Sequence, residues 1–202
     1  GQINDFLSRN VIAKMTKEEI ANEKQAYFVP HNFVEKEDAT TPLRIVTNAS
    51  FKSPRTSKSL NDIVVKGPAA LNNLYHILLK FRSYKVGMTG DVNKMYHSVA
   101  IHREQLFWRR ILWRPIEKWG TPMEENPPDQ YHLKKITFGE KPAGVTAISA
   151  MRMTADRFGT KENVDAQQFV RENFYVDDGI GGTENVEAAE QLSKKVEDLL
   201  AP

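Results

Sequence analysis

The stretch Tyr175-Val176-Asp177-Asp178, followed at once by Gly179-Ile180-Gly181-Gly182, constrains this chain more than any other feature. It closes an apolar run, Gln168 to Val176, that reads as a strand. Successive strand side chains point to opposite faces, so two adjacent carboxylates act in one direction only where the backbone turns sharply. The glycines permit that turn. On its own, an Asp-Asp pair signals no more than a surface turn. A second element changes its weight: in Gly90-Asp91-Val92-Asn93-Lys94-Met95-Tyr96-His97-Ser98-Val99, a carboxylate ends an extended run and an aromatic side chain follows five residues later. Three carboxylates gathered by paired strands repel one another unless divalent cations neutralise them. Mg²⁺ favours such oxygen ligands and leaves positions for phosphates and water. Two such ions about 4 Å apart activate an attacking hydroxyl and stabilise a leaving pyrophosphate, which is the chemistry of nucleotidyl transfer.

The rest of the chain supplies a scaffold for such a site. Thr16 and Glu19 have capping-box spacing and predict a helix from Thr16 to about Tyr27. Leu43 to Thr47 reads as a short strand, and Phe51 to Asn61 as a basic loop. Pro68 is expected to open a helix whose stripe of Leu71, Leu74, Ile77, Leu78 and Phe81 is buried. Strands are expected at 85–92, 97–101, 107–113 and 131–138, a proline-rich loop at 115–130, and helices at 142–158 and 185–200. Mixed strands and helices with hairpin-like connections indicate an α+β fold.

Composition excludes several alternatives. A chain of 202 residues with 40% hydrophobic residues and 10 Phe has enough apolar mass for a core. There is no Cys, which removes disulfide scaffolds, thiolate zinc sites and cysteine nucleophiles. No apolar run approaches a membrane span, and the first ten residues lack a signal-peptide core. His31, His76, His97, His102 and His132 have no zinc-ligand spacing and read as structural. The net charge of +2 hides an uneven distribution. Residues 41–110 carry 12 basic and 3 acidic side chains, against 11 and 16 in residues 111–202. A basic block suits phosphates, and an acidic one suits cations.

Four blocks carry a resemblance: YFVPHNFVEKEDATTPLRIV (27–46), SLNDIVVKGPAALNNLYHILLKFR (59–82), TGDVNKMYHSVAIHREQ (89–105) with ILWR (111–114), and FYVDDGIGG (174–182). Together they resemble the reverse transcriptase domain of long-terminal-repeat retrotransposons, most closely of the BEL/Pao group. The resemblance implies an α+β fold of fingers and palm, the palm of ferredoxin-like βαββαβ type, without a thumb. Fingers are expected at 1–84 and 115–137, palm at 85–114 and 138–202. Asp91, Asp177 and Asp178 match the family's catalytic, metal-binding triad, and Val92 joins them as a metal ligand. Tyr96 matches the aromatic residue that lies under the sugar and excludes a 2′-hydroxyl; without the resemblance it reads as a half-buried strand aromatic. Lys36 and Arg44 match residues that clamp the incoming triphosphate. Phe138 and Gly139 match the aromatic or Gln followed by Gly that approaches nucleotide and template. Asn48 stands where the family usually has Asp, and Lys141 to Gly144 where it has a small residue followed by Ser-Pro. The cofactor implied is a pair of Mg²⁺ ions, replaceable by Mn²⁺. The partners implied are an RNA or DNA template with its primer, deoxynucleoside triphosphates, and the protease, RNase H and integrase of one polyprotein, with no membrane. The location implied is intracellular, in a cytoplasmic virus-like particle or the nucleus. Two other readings compete: a truncated or domesticated remnant that binds nucleic acid or protein without polymerising, and a four-stranded RNA-binding module, whose stacking aromatics are not found in this sequence.

Overall fold

The computed structural model describes residues 2–22, 26–35, 43–54 and 57–201. In chain order the elements are α1 (Gln2–Ser8), β1 (Ile12–Lys14), α2 (Lys17–Asn22), β2 (His31–Glu35), β3 (Leu43–Thr47), α3 (Leu60–Ile63) and α4 (Leu74–Phe81). They continue with β4 (Val86–Asp91), α5 (Met95–Ser98), β5 (Arg110–Trp113), β6 (Asp129–Leu133) and α6 (Ala143–Phe158). The last are α7 (Val164–Glu172), β7 (Phe174–Tyr175), β8 (Asp178–Thr183) and α8 (Val186–Leu200). The fold is α+β with small antiparallel sheets. It divides into two compact units, residues 1–66 with 96–143 and residues 67–95 with 144–202.

In the first unit, β1, β6 and β5 form an antiparallel sheet in that order, with Ile12 opposite Leu133 and Ile111 opposite Tyr131. These four side chains join Ile3, Phe6, Val11, Val29, Ala49 and Leu60 in one buried cluster. Each large apolar member contributes about 1.5–3 kcal/mol through burial. The Tyr27 hydroxyl ties the unit together, donating to Phe51 O at 3.1 Å while accepting from Leu60 N at 3.1 Å. The capping box forms as expected: Glu19 N donates to Thr16 Oγ1 at 3.1 Å, and Thr16 N to Glu19 Oε2 at 2.8 Å. The helix it opens is shorter than expected, because Phe28 is already extended and bridges to Arg110. Residues 97–101 are not a strand either; α5 covers Met95–Ser98, and only Ala100 pairs, with Lys135. β2 and β3 form a hairpin with Phe33 opposite Ile45.

The second unit is built on a sheet of order β4-β8-β7. With α6 and α7 between β4 and β7, and α8 after β8, the connection is β-α-α-β-β-α, the strand order of a ferredoxin-like sheet up to its last strand. Two expectations fail here for a shared reason. The segment 168–176 is mostly helix, since Ala166, Phe169 and Val170 recur at helical spacing and are buried. The glycine-rich segment after Asp178 is a strand instead of a turn. A Cβ at Gly181 would overlap the Phe169 ring, so glycine is what lets α7 lie close against β8. α4 also begins later than Pro68, at Leu74, where Asn73 caps it by accepting from His76 N at 3.2 Å. Of its expected apolar stripe only Ile77 is fully buried. α4 packs on β8 within this second unit.

Candidate functional site

The carboxylates meet at one end of the β4-β8-β7 sheet. Register places Asp91, the last residue of β4, directly opposite Asp178, the first residue of β8, and Asp178 is also opposite Tyr175. Val176 and Asp177 form the two-residue turn between β7 and β8. Val176 has φ +60°, the left-handed value that a tight hairpin requires at its first turn residue. For a β-branched residue this conformation costs about 1–3 kcal/mol. The turn is pinned to β4 by Val92 N, which donates to Asp177 O at 2.9 Å. One oxygen from each of Asp91, Asp177 and Asp178 lies within 4.8 Å of the others. Asp91 and Asp178 are exposed and Asp177 is half-buried.

Three negative charges at such spacing repel by about 1 kcal/mol per pair even at the dielectric of water. All-oxygen donors of full negative charge fit a hard divalent cation. The surroundings leave room for a substrate: a shallow cleft is lined by Thr89, Gly90, Asp91, Asp178, Gly179 and Ile180, and a Cβ at Gly90 would meet nothing within 4 Å.

The first unit holds the other residues singled out from sequence. Tyr96 and Phe138 pack with ring centroids 4.7 Å apart and tilted by 51°. The His97 ring lies edge-on to Phe138 at 6.0 Å and to Phe6 at 5.1 Å. Gly139 has φ +95°, and a Cβ there would come 2.6 Å from Thr47 O, so glycine is required twice over. Arg44 is exposed on β3 opposite Val34. Lys36 lies outside the described residues. Asn48 N donates to Pro30 O at 2.7 Å, while its side chain accepts from Ser50 N at 3.2 Å, so the residue shapes a turn.

Sequence reasoning missed the supports of this turn. Asn61 donates to Gly139 O at 2.8 Å and accepts from Lys141 N at 2.8 Å. Arg109 and Glu140 form a buried ion pair at 2.8 Å. No periodicity or motif links residues 31 positions apart, so no sequence signal could have found it.

Fold and carboxylate geometry define a class: the chain has the fold of a reverse transcriptase domain. Solved structures of foamy virus protease-reverse transcriptase match 98% of the chain. One in complex with double-stranded DNA has a TM-score of 0.68 at 17% identity over 28% of its own chain. A complex with RNA/DNA hybrid has 0.66 at 17% identity over 21% of its chain. A further complex with double-stranded DNA has 0.64 at 20% identity over 33% of its chain. The chain thus spans between a fifth and a third of the length of these solved chains. No family model and no curated protein matches the sequence.

Proposed function

We propose that this chain is the nucleotidyl-transfer core of a reverse transcriptase, a DNA polymerase that copies RNA and DNA templates, from a BEL/Pao-type retrotransposon. The observation that carries the reading is the convergence of Asp91, Asp177 and Asp178 within 4.8 Å on a β4-β8-β7 sheet. In this reading the three carboxylates, with the Val92 main chain, hold two Mg²⁺ ions, for which Mn²⁺ substitutes. When bound, the ions lower the pKa of the primer 3′-hydroxyl and stabilise the leaving pyrophosphate. The chain's own residues orient the nucleotide. Arg44 and Lys36 neutralise its triphosphate, the Tyr96 ring lies beneath its sugar and excludes a 2′-hydroxyl, and Phe138-Gly139 offers a close backbone approach to base and template.

In this reading residues 85–114 and 138–202 serve as the palm, and residues 1–84 and 115–137 as the fingers. Template, primer and deoxynucleoside triphosphates are the ligands. Protease, RNase H and integrase are the companions in a polyprotein that acts within a cytoplasmic particle or the nucleus. Support for nucleic acid as ligand comes from the foamy virus structures, which are complexes with DNA and with RNA/DNA hybrid. The test is primer extension on poly(rA)/oligo(dT) and on a DNA template by the natural protein that carries this segment. Asp177→Asn is expected to cost at least about a hundredfold in rate, as loss of a transition-state stabiliser does. Undiminished incorporation by the variant would remove the triad from the chemistry.

A further inference from the structure

The first unit buries an ion pair that its hydrophobic core does not call for. The Arg109 and Glu140 side chains are 8% and 2% exposed. Arg109 Nε and Nη2 donate to Glu140 Oε2 at 2.9 and 2.8 Å. Buried pairs of this kind are commonly no more stabilising than apolar side chains of the same volume, and a candidate reason to keep one is that it fixes a single geometry. The geometry fixed here belongs to the turn bearing Phe138. Thr47 Oγ1 donates its proton to Phe138 O at 2.6 Å. Thr137 Oγ1 is thereby left as the donor, to Thr47 Oγ1 at 3.0 Å or to Glu140 Oε1 at 3.3 Å. Arg109 is in turn fixed to the sheet, accepting at its carbonyl from Leu133 N at 2.8 Å. The linkage runs from β6 through Arg109 and Glu140 into residues 137–140, and from the Phe138 ring to Tyr96 at 4.7 Å.

We propose that Glu140, locked by Arg109, is a positioning residue that sets the Phe138 ring against Tyr96 and thereby sharpens discrimination between deoxyribose and ribose. Its second half rests on the polymerase reading above. Glu140 touches no substrate. It acts through Phe138, and the ring it holds backs the side chain that meets the sugar. Small displacements at a reacting centre are costly, so a loosened backing ring lowers selectivity without abolishing synthesis.

The test compares the parent chain with Glu140→Gln, which keeps volume and one acceptor but removes the charge, and with the double variant Arg109→Met/Glu140→Leu, which replaces the pair by apolar groups. Three quantities are read: the melting temperature, NMR cross-peaks between the Tyr96 and Phe138 rings, and, in the natural protein carrying this segment, the ratio of deoxyribonucleotide to ribonucleotide incorporation. The expected result is folding preserved in at least one variant, ring cross-peaks lost in it, and the ratio reduced by about tenfold. Glu140→Asp, which restores the charge on a shorter arm, is expected to recover part of that ratio. Unaltered cross-peaks in a folded variant overturn the positioning role whatever the incorporation assay gives. Failure of both variants to fold overturns it in favour of a purely structural pair. A parent protein that incorporates no nucleotide overturns the sugar-selection half together with the reading it rests on, while the cross-peaks decide the positioning half independently.

Discussion

Val176 sits at φ +60° between the two strands that carry the carboxylates, where glycine would be at ease. Val176→Gly should therefore leave thermal stability unchanged or raise it by about 1 kcal/mol, while loosening the turn that orients Asp177 and weakening Mn²⁺ binding. A lowered melting temperature would mean that the valine side chain contributes more through packing than its backbone costs. Gly139 is the opposite case. At φ +95° with Thr47 O in the path of a Cβ, Gly139→Ala should destabilise by about 1–3 kcal/mol, a fall of about 2–4 °C per kcal/mol in melting temperature. A melt identical to the parent would show that residues 138–140 move without cost.

Among the elements, β6 makes the pH dependence of the first unit readable. His132, 6% exposed on this strand, has its pKa held below the usual 6.5, chiefly by burial; Arg110 adds to the depression, and the Leu106 carbonyl and Glu19 partly oppose it. Burial also lowers His31 on β2. The folded state thus binds fewer protons than the unfolded one as pH falls below 6.5, and stability present above 6.5 is lost progressively toward the depressed folded pKa. The urea midpoint should drop between pH 7.5 and 5.5, and His132→Gln should flatten that slope; an unchanged slope would assign the effect elsewhere. Carboxylates such as Glu19 and Asp165, held low by hydrogen bonds from Thr16 and Lys195, lose their contribution only below about pH 4.5. How far elements were legible from sequence follows from where their signals lie. The Thr16–Glu19 cap, β3 and α8 announce themselves through local residue types. α7 and β8 read from sequence as strand and turn because Phe169 and Val170 fit an apolar strand equally well, and because β8 is held by pairing with β4 and β7 over glycines that carry no strand signal of their own. The two aspartate motifs were plain, yet the Asp91–Asp178 register that joins them follows only from sheet pairing, and the Arg109–Glu140 pair from tertiary packing alone.

At the scale of the whole molecule, the proposed polymerase must hold nucleic acid by charge. Residues 41–110, with 12 basic and 3 acidic side chains, should give the 202-residue chain salt-sensitive binding to primer-template. The logarithm of the affinity should fall linearly with that of salt concentration, and salt-independent binding would argue against phosphate contacts. Binding need not bring turnover, since in-line attack requires a firmly held primer end. The chain covers at most 33% of the solved chains named above. The central claim is that Asp91, Asp177 and Asp178 form one cation site. Titrating ¹⁵N-labelled chain with Mn²⁺ and following paramagnetic broadening tests it most directly. The amides of Gly90 to Val92 and Val176 to Gly179 should broaden first and together, and Asp177→Asn should abolish the effect at the same Mn²⁺ concentration. Broadening that begins at the acidic residues of α8, or that survives in Asp177→Asn, would contradict the account.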